Sequence, residues 1–273
     1  MSAIKEAGKA DNSKLIVMAT LILLSILAYW FVTLLIVPGN SQASYAPLLL
    51  SSIIAIVFWA LILLAVFGFV LKNVVMEFSG IMKERLWAKI LFPLYLFAHL
   101  IVYGIVLEKI LVIVFGPPDY SVGRTIFVQL GGAFYPHTPL NALIQLTLNP
   151  SVVIFLPPFY GLELTLFSFS SATIIATLIV VHLDRLMHNA KLIRRAGGSV
   201  IYPLIGIVGG ASCCISLPGL FLDFTPLAYS ILLISFWVDV LNVLYYLLPI
   251  SVIVFLAAGL KPFASLSNSV CVK

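Results

Sequence analysis

Cys213 and Cys214 sit side by side in the string Gly206-Ile-Val-Gly209-Gly210-Ala-Ser212-Cys213-Cys214-Ile-Ser216-Leu-Pro218, in the middle of an apolar stretch. Adjacent cysteines make poor disulfide partners, because closing the bond strains the backbone away from normal geometry. The pair is therefore either packing or soft-ligand chemistry. Gly206, Gly210 and Cys214 recur every four residues, a small-residue face along which a second helix can approach closely, and cysteine counts there as a small apolar residue. Thiolates, in contrast, select soft ions such as Cu(I) or Zn. An incoming cation would supply the charge that makes deprotonation favourable in apolar surroundings. Pro218 lacks the N–H that would bond the Cys214 carbonyl, which loosens the helix beside the pair.

Three more sets of polar residues fall inside apolar stretches. His99 has Tyr95 and Tyr103 four residues to either side, so all three share one helical face. Ser235, Asp239, Asn242 and Tyr246 form a stripe at helical spacing. Glu163 stands at the outer end of an expected helix, above Ser170, Thr173 and Thr177, while Glu108 and Lys109 close the outer end of another. Ionisable groups in lipid cost a few kcal/mol each and tend to mark function. His99, the cysteine pair and Asp239/Asn242 are expected at similar depth, as an imidazole–thiol–carboxylate centre in which His99, Cys213 and Cys214 could ligate a soft metal ion. The alternative is a hydrogen-bonded interior that joins helices at about 0.6 kcal/mol per contact.

The elements that must position these groups are membrane helices. The chain has 273 residues, 62% hydrophobic and 9% charged, with mean hydropathy +1.18. Soluble domains carry roughly a quarter charged residues, so the solvent here is lipid. Spans are expected at about 15–37, 47–71, 90–110, 159–182, 200–222 and 227–260, each near the ~20 residues needed to cross ~30 Å of hydrocarbon. Together they predict an all-α, polytopic bundle of about six transmembrane helices in the cell membrane, one domain over 15–260. Leu15–Val37 is too long for a signal-peptide core of ~7–15 residues.

Short basic loops explain the net charge of +5 without nucleic acid. Lys72, Lys83, Arg85 and Lys89 make one cluster, and Arg185, Lys191, Arg194 and Arg195 another. With Lys5, Lys9, Lys14 and the 261–273 tail they fall on one side if there are six spans, which makes both termini cytoplasmic. A seventh span, breaking 227–260 at Pro249, would put Lys261 outside. The Gly-, Pro- and aromatic-rich segment 117–151 is expected at the outer interface or folded back against protein, since irregular backbone cannot face lipid. His182, Asp184 and His188 read as a solvated helix end, and His182 lies too far from the depth of His99 to share a haem iron.

No P-loop, dinucleotide fingerprint, zinc-protease or serine-hydrolase motif occurs, so no enzyme is expected. No internal repeat marks an inverted-repeat transporter. The string Ala211–Pro218 resembles the vicinal-cysteine membrane helix of mercuric-ion transport proteins, in which small residues precede Cys-Cys and a proline follows. That resemblance implies that Cys213 and Cys214 receive a soft metal ion and pass it across the membrane. It extends over those few residues only; members of that family are shorter and carry the pair on their first helix.

Two functional classes follow. One is a small transporter or permease-like protein, passing a soft metal ion or protons through His99, Cys213, Cys214, Asp239, Asn242 and Glu163. The other is a non-catalytic membrane subunit of a larger respiratory, protein- or DNA-translocating assembly, with other membrane subunits or further copies of itself as partners. An intramembrane redox enzyme fits less well, because adjacent cysteines cycle poorly.

Overall fold

A computed structural model describes residues 2–35, 45–116, 123–130, 139–157, 160–188 and 235–260. The chain is mostly helical: α1 (Ser2–Leu34), α2 (Tyr45–Ala65, extended by a π-helical turn to Val70), α3 (Lys72–Glu84), α4 (Leu86–Phe97), a π-helical turn at Ala98–Val102, α5 (Tyr103–Phe115), α6 (Pro139–Leu148), α7 (Leu166–His188) and α8 (Ser235–Gly259). Among the described residues, four helices are long and apolar enough to cross a membrane: Ser13–Leu34, Tyr45–Val70, Leu86–Val106 and Leu166–His188. They fall where the first four spans are expected. The fifth expected span, the start of the last, and the 261–273 tail lie outside the described residues.

The expectation of an all-α chain is corrected by a three-stranded sheet in the order β1 (Thr125–Gln129), β2 (Ser151–Leu156), β3 (Tyr160–Thr165). The helix expected from residue 159 therefore begins at Leu166. Val152, Val153 and Ile154 supply the β-branched side chains that favour a pleated surface. A Cβ on Gly161 would lie 3.2 Å from the Phe155 ring, so β3 fits against β2 because that position is bare.

The chain divides into two compact units, Met1–Lys72 with Phe127–Val152 and Thr165–Phe167, and the remainder. In the first, Tyr29 of α1, Ala55 and Phe58 of α2, and Ala142 and Leu146 of α6 form a core that collects Ile22, Ile26, Trp30, Ile54, Trp59 and Ile62. At ten residues, α6 spans about 15 Å and cannot cross hydrocarbon; it is folded against α1 and α2. Asn149, directly after α6, ties the three together. Its amide nitrogen donates to the Tyr29 hydroxyl and the Ser51 hydroxyl, each at 3.2 Å, and its amide oxygen accepts from Ser52 at 3.0 Å. Its backbone N–H meets the Gln145 carbonyl at 2.9 Å, ending α6.

In the second unit, every residue of α7 from Ile174 to His182 is buried, unlike the three other spans, where most side chains look outward. Contacts gather at one end. Arg185 grips the Glu77 carboxylate of α3 with two nitrogens, its Nε donating at 2.8 Å. Its Nη1 donates to the Leu260 carbonyl at 2.7 Å. His182 Nε2 donates to the Leu256 carbonyl at 2.8 Å. Arg85 Nη2 donates to His188 Nε2 at 3.0 Å. The start of α4 and the ends of α7 and α8 therefore share one level, so α7 and α8 run in the same direction and α4 in the opposite one.

Asn149→Ala removes the hub of the first unit and strands hydroxyls from two helices. A loss of about 1–3 kcal/mol is expected, read as a lowered thermal midpoint of the detergent-solubilised protein; Ser52→Ala, whose hydroxyl is also spent on the Leu48 carbonyl, should cost less. Equal midpoints for wild type and Asn149→Ala would remove Asn149 from this role.

Candidate functional site

His99 is fully buried, and α4 reaches it through an unusual backbone. Pro93 deletes one helical N–H. The turn Ala98–Val102 is then π-helical, with the Tyr103 N–H reaching back to the Ala98 carbonyl. Such turns insert a residue, shift the face behind them, and occur frequently at functional sites. Even so, the three side chains on the expected face come together: His99 Nδ1 lies 3.1 Å from the Tyr95 hydroxyl, and the His99 ring is 5.5 Å from that of Tyr95 and 6.0 Å from that of Tyr103. Tyr95 is buried and Tyr103 half-buried. An imidazole with one nitrogen on a phenol can pass a proton or offer a lone pair with little rearrangement.

Asp239 and Asn242 lie on α8 as expected. Its buried stripe runs through Tyr245, Pro249, Val252 and Leu256, and the positions of Ser235, Asp239, Asn242 and Tyr246 fall roughly a quarter turn to one side of it. Their depth differs from that of His99. Counting ~1.5 Å per residue from the Arg85–His188 and His182–Leu256 contacts, for helices running side by side, places His99 about 12 Å from the level of His182. The same count places Asn242 about 21 Å and Asp239 about 25 Å from it. That count offsets the backbone of Asp239 and Asn242 from that of His99 along the helix axes; the side chains of Asp239 and Asn242 lie outside the described residues. The level of His99 on α7 is that of Thr173 and Thr177, whose hydroxyls donate at 2.8 Å to the carbonyls of Phe169 and Thr173.

Glu163 is half-buried on β3, just ahead of α7, instead of on a helix. Cys213 and Cys214 lie outside the described residues. Among the described residues, no group of three His, Cys, Asp or Glu side chains converges to hold a metal ion.

His182 overturns the reading of a solvated helix end. It is buried, and its Nε2 satisfies a carbonyl in the last turn of α8, where helical geometry leaves the final four carbonyls without internal partners. Sequence reasoning also missed the Glu77–Arg185 pair and the Asn149 cluster. The opposite charges of Glu77 and Arg185 in the two basic loops were one available signal; nothing local marks Asn149. No known family model, curated protein or solved structure matches this chain.

His182→Phe keeps an aromatic ring in place and withdraws the donor to Leu256. The expected result is faster backbone hydrogen exchange over residues 256–260 of α8, with 245–250 unchanged; identical protection in both stretches would show that His182 does not hold this end.

Proposed function

We propose that this chain is a small multi-pass membrane transporter of the permease type, not an enzyme, that passes protons or a soft metal ion across the cell membrane. The observation that carries the reading is the buried His99, hydrogen-bonded to Tyr95 on a π-helical turn inside a membrane-spanning helix. A titratable ring in that setting is costly to bury and has no need to be there for packing alone. The cargo moves in stages. Asp239, Asn242 and Glu163 receive it at the end remote from the charged cluster, and His99, beside the level of Thr173 and Thr177, relays it. Cys213 and Cys214 serve as soft ligands where the cargo is a metal ion. The basic residues around Arg85 and Arg185 support a cytoplasmic side for the charged end, and with it for both termini of a six-span protein.

A second reading, a non-catalytic subunit of a larger membrane assembly, has its own support. Strand β1 is at the edge of the sheet, and its Ile126 and Val128 are 63% and 61% exposed. Such an edge is suited to pairing with another chain or a second copy.

Reconstituted vesicles test the transport reading. Proton flux is followed with an entrapped pH dye, and copper(I) or zinc uptake by metal analysis. His99→Gln is expected to cut transport at least ten-fold in protein that still folds, Tyr95→Phe to cut it less, and Cys213→Ser with Cys214→Ser to abolish metal uptake alone. Full activity in His99→Gln sinks the reading; intact metal uptake without both thiols sinks the metal ion as cargo.

A further inference from the structure

A groove of about 360 Å³ opens at the charged end of the second unit, lined by Arg85, Trp87, Asp184, Met187 and His188. Its size is at the lower end of the ~300–1,000 Å³ typical of small-molecule sites. It lies where the spans Leu86–Val106 and Leu166–His188 begin and end, the depth of lipid headgroups.

The chemistry of its walls is divided. Arg85 is exposed, and among the described residues its side chain forms no salt bridge; its guanidinium donates to His188, a neutral acceptor in that contact. Because arginine always donates, His188 Nε2 must accept, so the ring proton is on Nδ1 and donates to the Asp184 carbonyl at 2.9 Å. The same Nδ1 is 3.4 Å from Asp184 Oδ2, and Oδ1 of that carboxylate is buried. One oxygen of the acidic group is thus beside His188 and the other is buried, while the exposed Arg85 side chain lines the same groove. Arg85 also precedes α4 without any side-chain cap, so the unpartnered N–H groups of the first turn add positive potential. Lys83 and Lys89, both exposed, flank it.

Beside the polar wall runs an apolar one. Trp87 and Met187 line the groove itself. Next to Trp87 on α4, Leu86, Ile90, Leu94 and Phe97 are 71%, 59%, 58% and 54% exposed and follow one another along a single stripe of the helix. A phosphodiester at Arg85 would have its acyl chains led straight along that stripe.

We infer that this groove is a binding site for an anionic phospholipid, with the headgroup phosphate on Arg85 and the acyl chains along Leu86, Ile90, Leu94 and Phe97. Basic pockets between spans at the cytoplasmic side hold such headgroups elsewhere, and the site is independent of what the protein transports.

The test uses the full-length, delipidated protein in detergent. Thermal midpoints and bound-lipid counts by native mass spectrometry are read with phosphatidylglycerol or phosphatidylcholine of identical acyl chains. Phosphatidylglycerol should stabilise more and be retained in preference. Arg85→Gln should weaken its apparent affinity about five-fold, the worth of one interfacial cation, and leave phosphatidylcholine unchanged. Lys14→Gln, a cation on α1, should behave as wild type. Equal effects of the two lipids, an unaltered preference in Arg85→Gln, or the same loss in Lys14→Gln would each overturn the proposal. So would full competition by inorganic phosphate, which would make the ligand a soluble anion. Should Arg85→Gln fail to fold, Arg85→Lys must retain the preference, and losing it in a folded protein also overturns the site.

Discussion

Lipid cannot hydrogen-bond a bare carbonyl, and that constraint organises the second unit more than any apolar contact does. A helix ending inside or near hydrocarbon leaves its last carbonyls unanswered. At the end of α8 the answers come from α7: His182 to Leu256, and Arg185 to Leu260. Arg185 then needs an anion, which α3 supplies as Glu77. One backbone requirement thus accounts for a buried histidine, a half-buried ion pair, and the tie between the short helix α3 and α7. The same logic recurs in the first unit, where the carboxamide of Asn149 provides donors and an acceptor to hydroxyls on α1 and α2.

The two buried histidines consequently have different standing. His182 is explained by the carbonyl it caps, and its placement requires no further role. His99 is held in a different setting: it is hydrogen-bonded locally to Tyr95 and sits on the π-helical turn Ala98–Val102, a feature that occurs frequently at functional sites. That local setting is what the proposed transport reading draws on.

Hydropathy made the four described spans legible, because an apolar run of that length has few alternatives. The face shared by Tyr95, His99 and Tyr103 was legible for a related reason: helical spacing determines it locally, and the π-helical turn does not disperse it. The relative heights of the helices are set by the contacts of Arg85 with His188 and of His182 with Leu256, which join residues far apart in the chain and leave no mark in the lengths of the apolar runs. The strands escaped for a different reason. Val152–Leu156 and Tyr160–Thr165 are short apolar runs that fit a helix or a strand equally well, and pairing with a distant strand decides between them.

The proposed route takes its polar groups in succession. Groups gathered at one level would form a coordination site, a trap from which an ion leaves slowly. Passage across a membrane requires sites favourable enough to enter and weak enough to leave. A route that reaches Asp239 and Glu163 first and His99 after them would meet that requirement with ordinary side chains, and in that reading the thiols need not stand beside the imidazole.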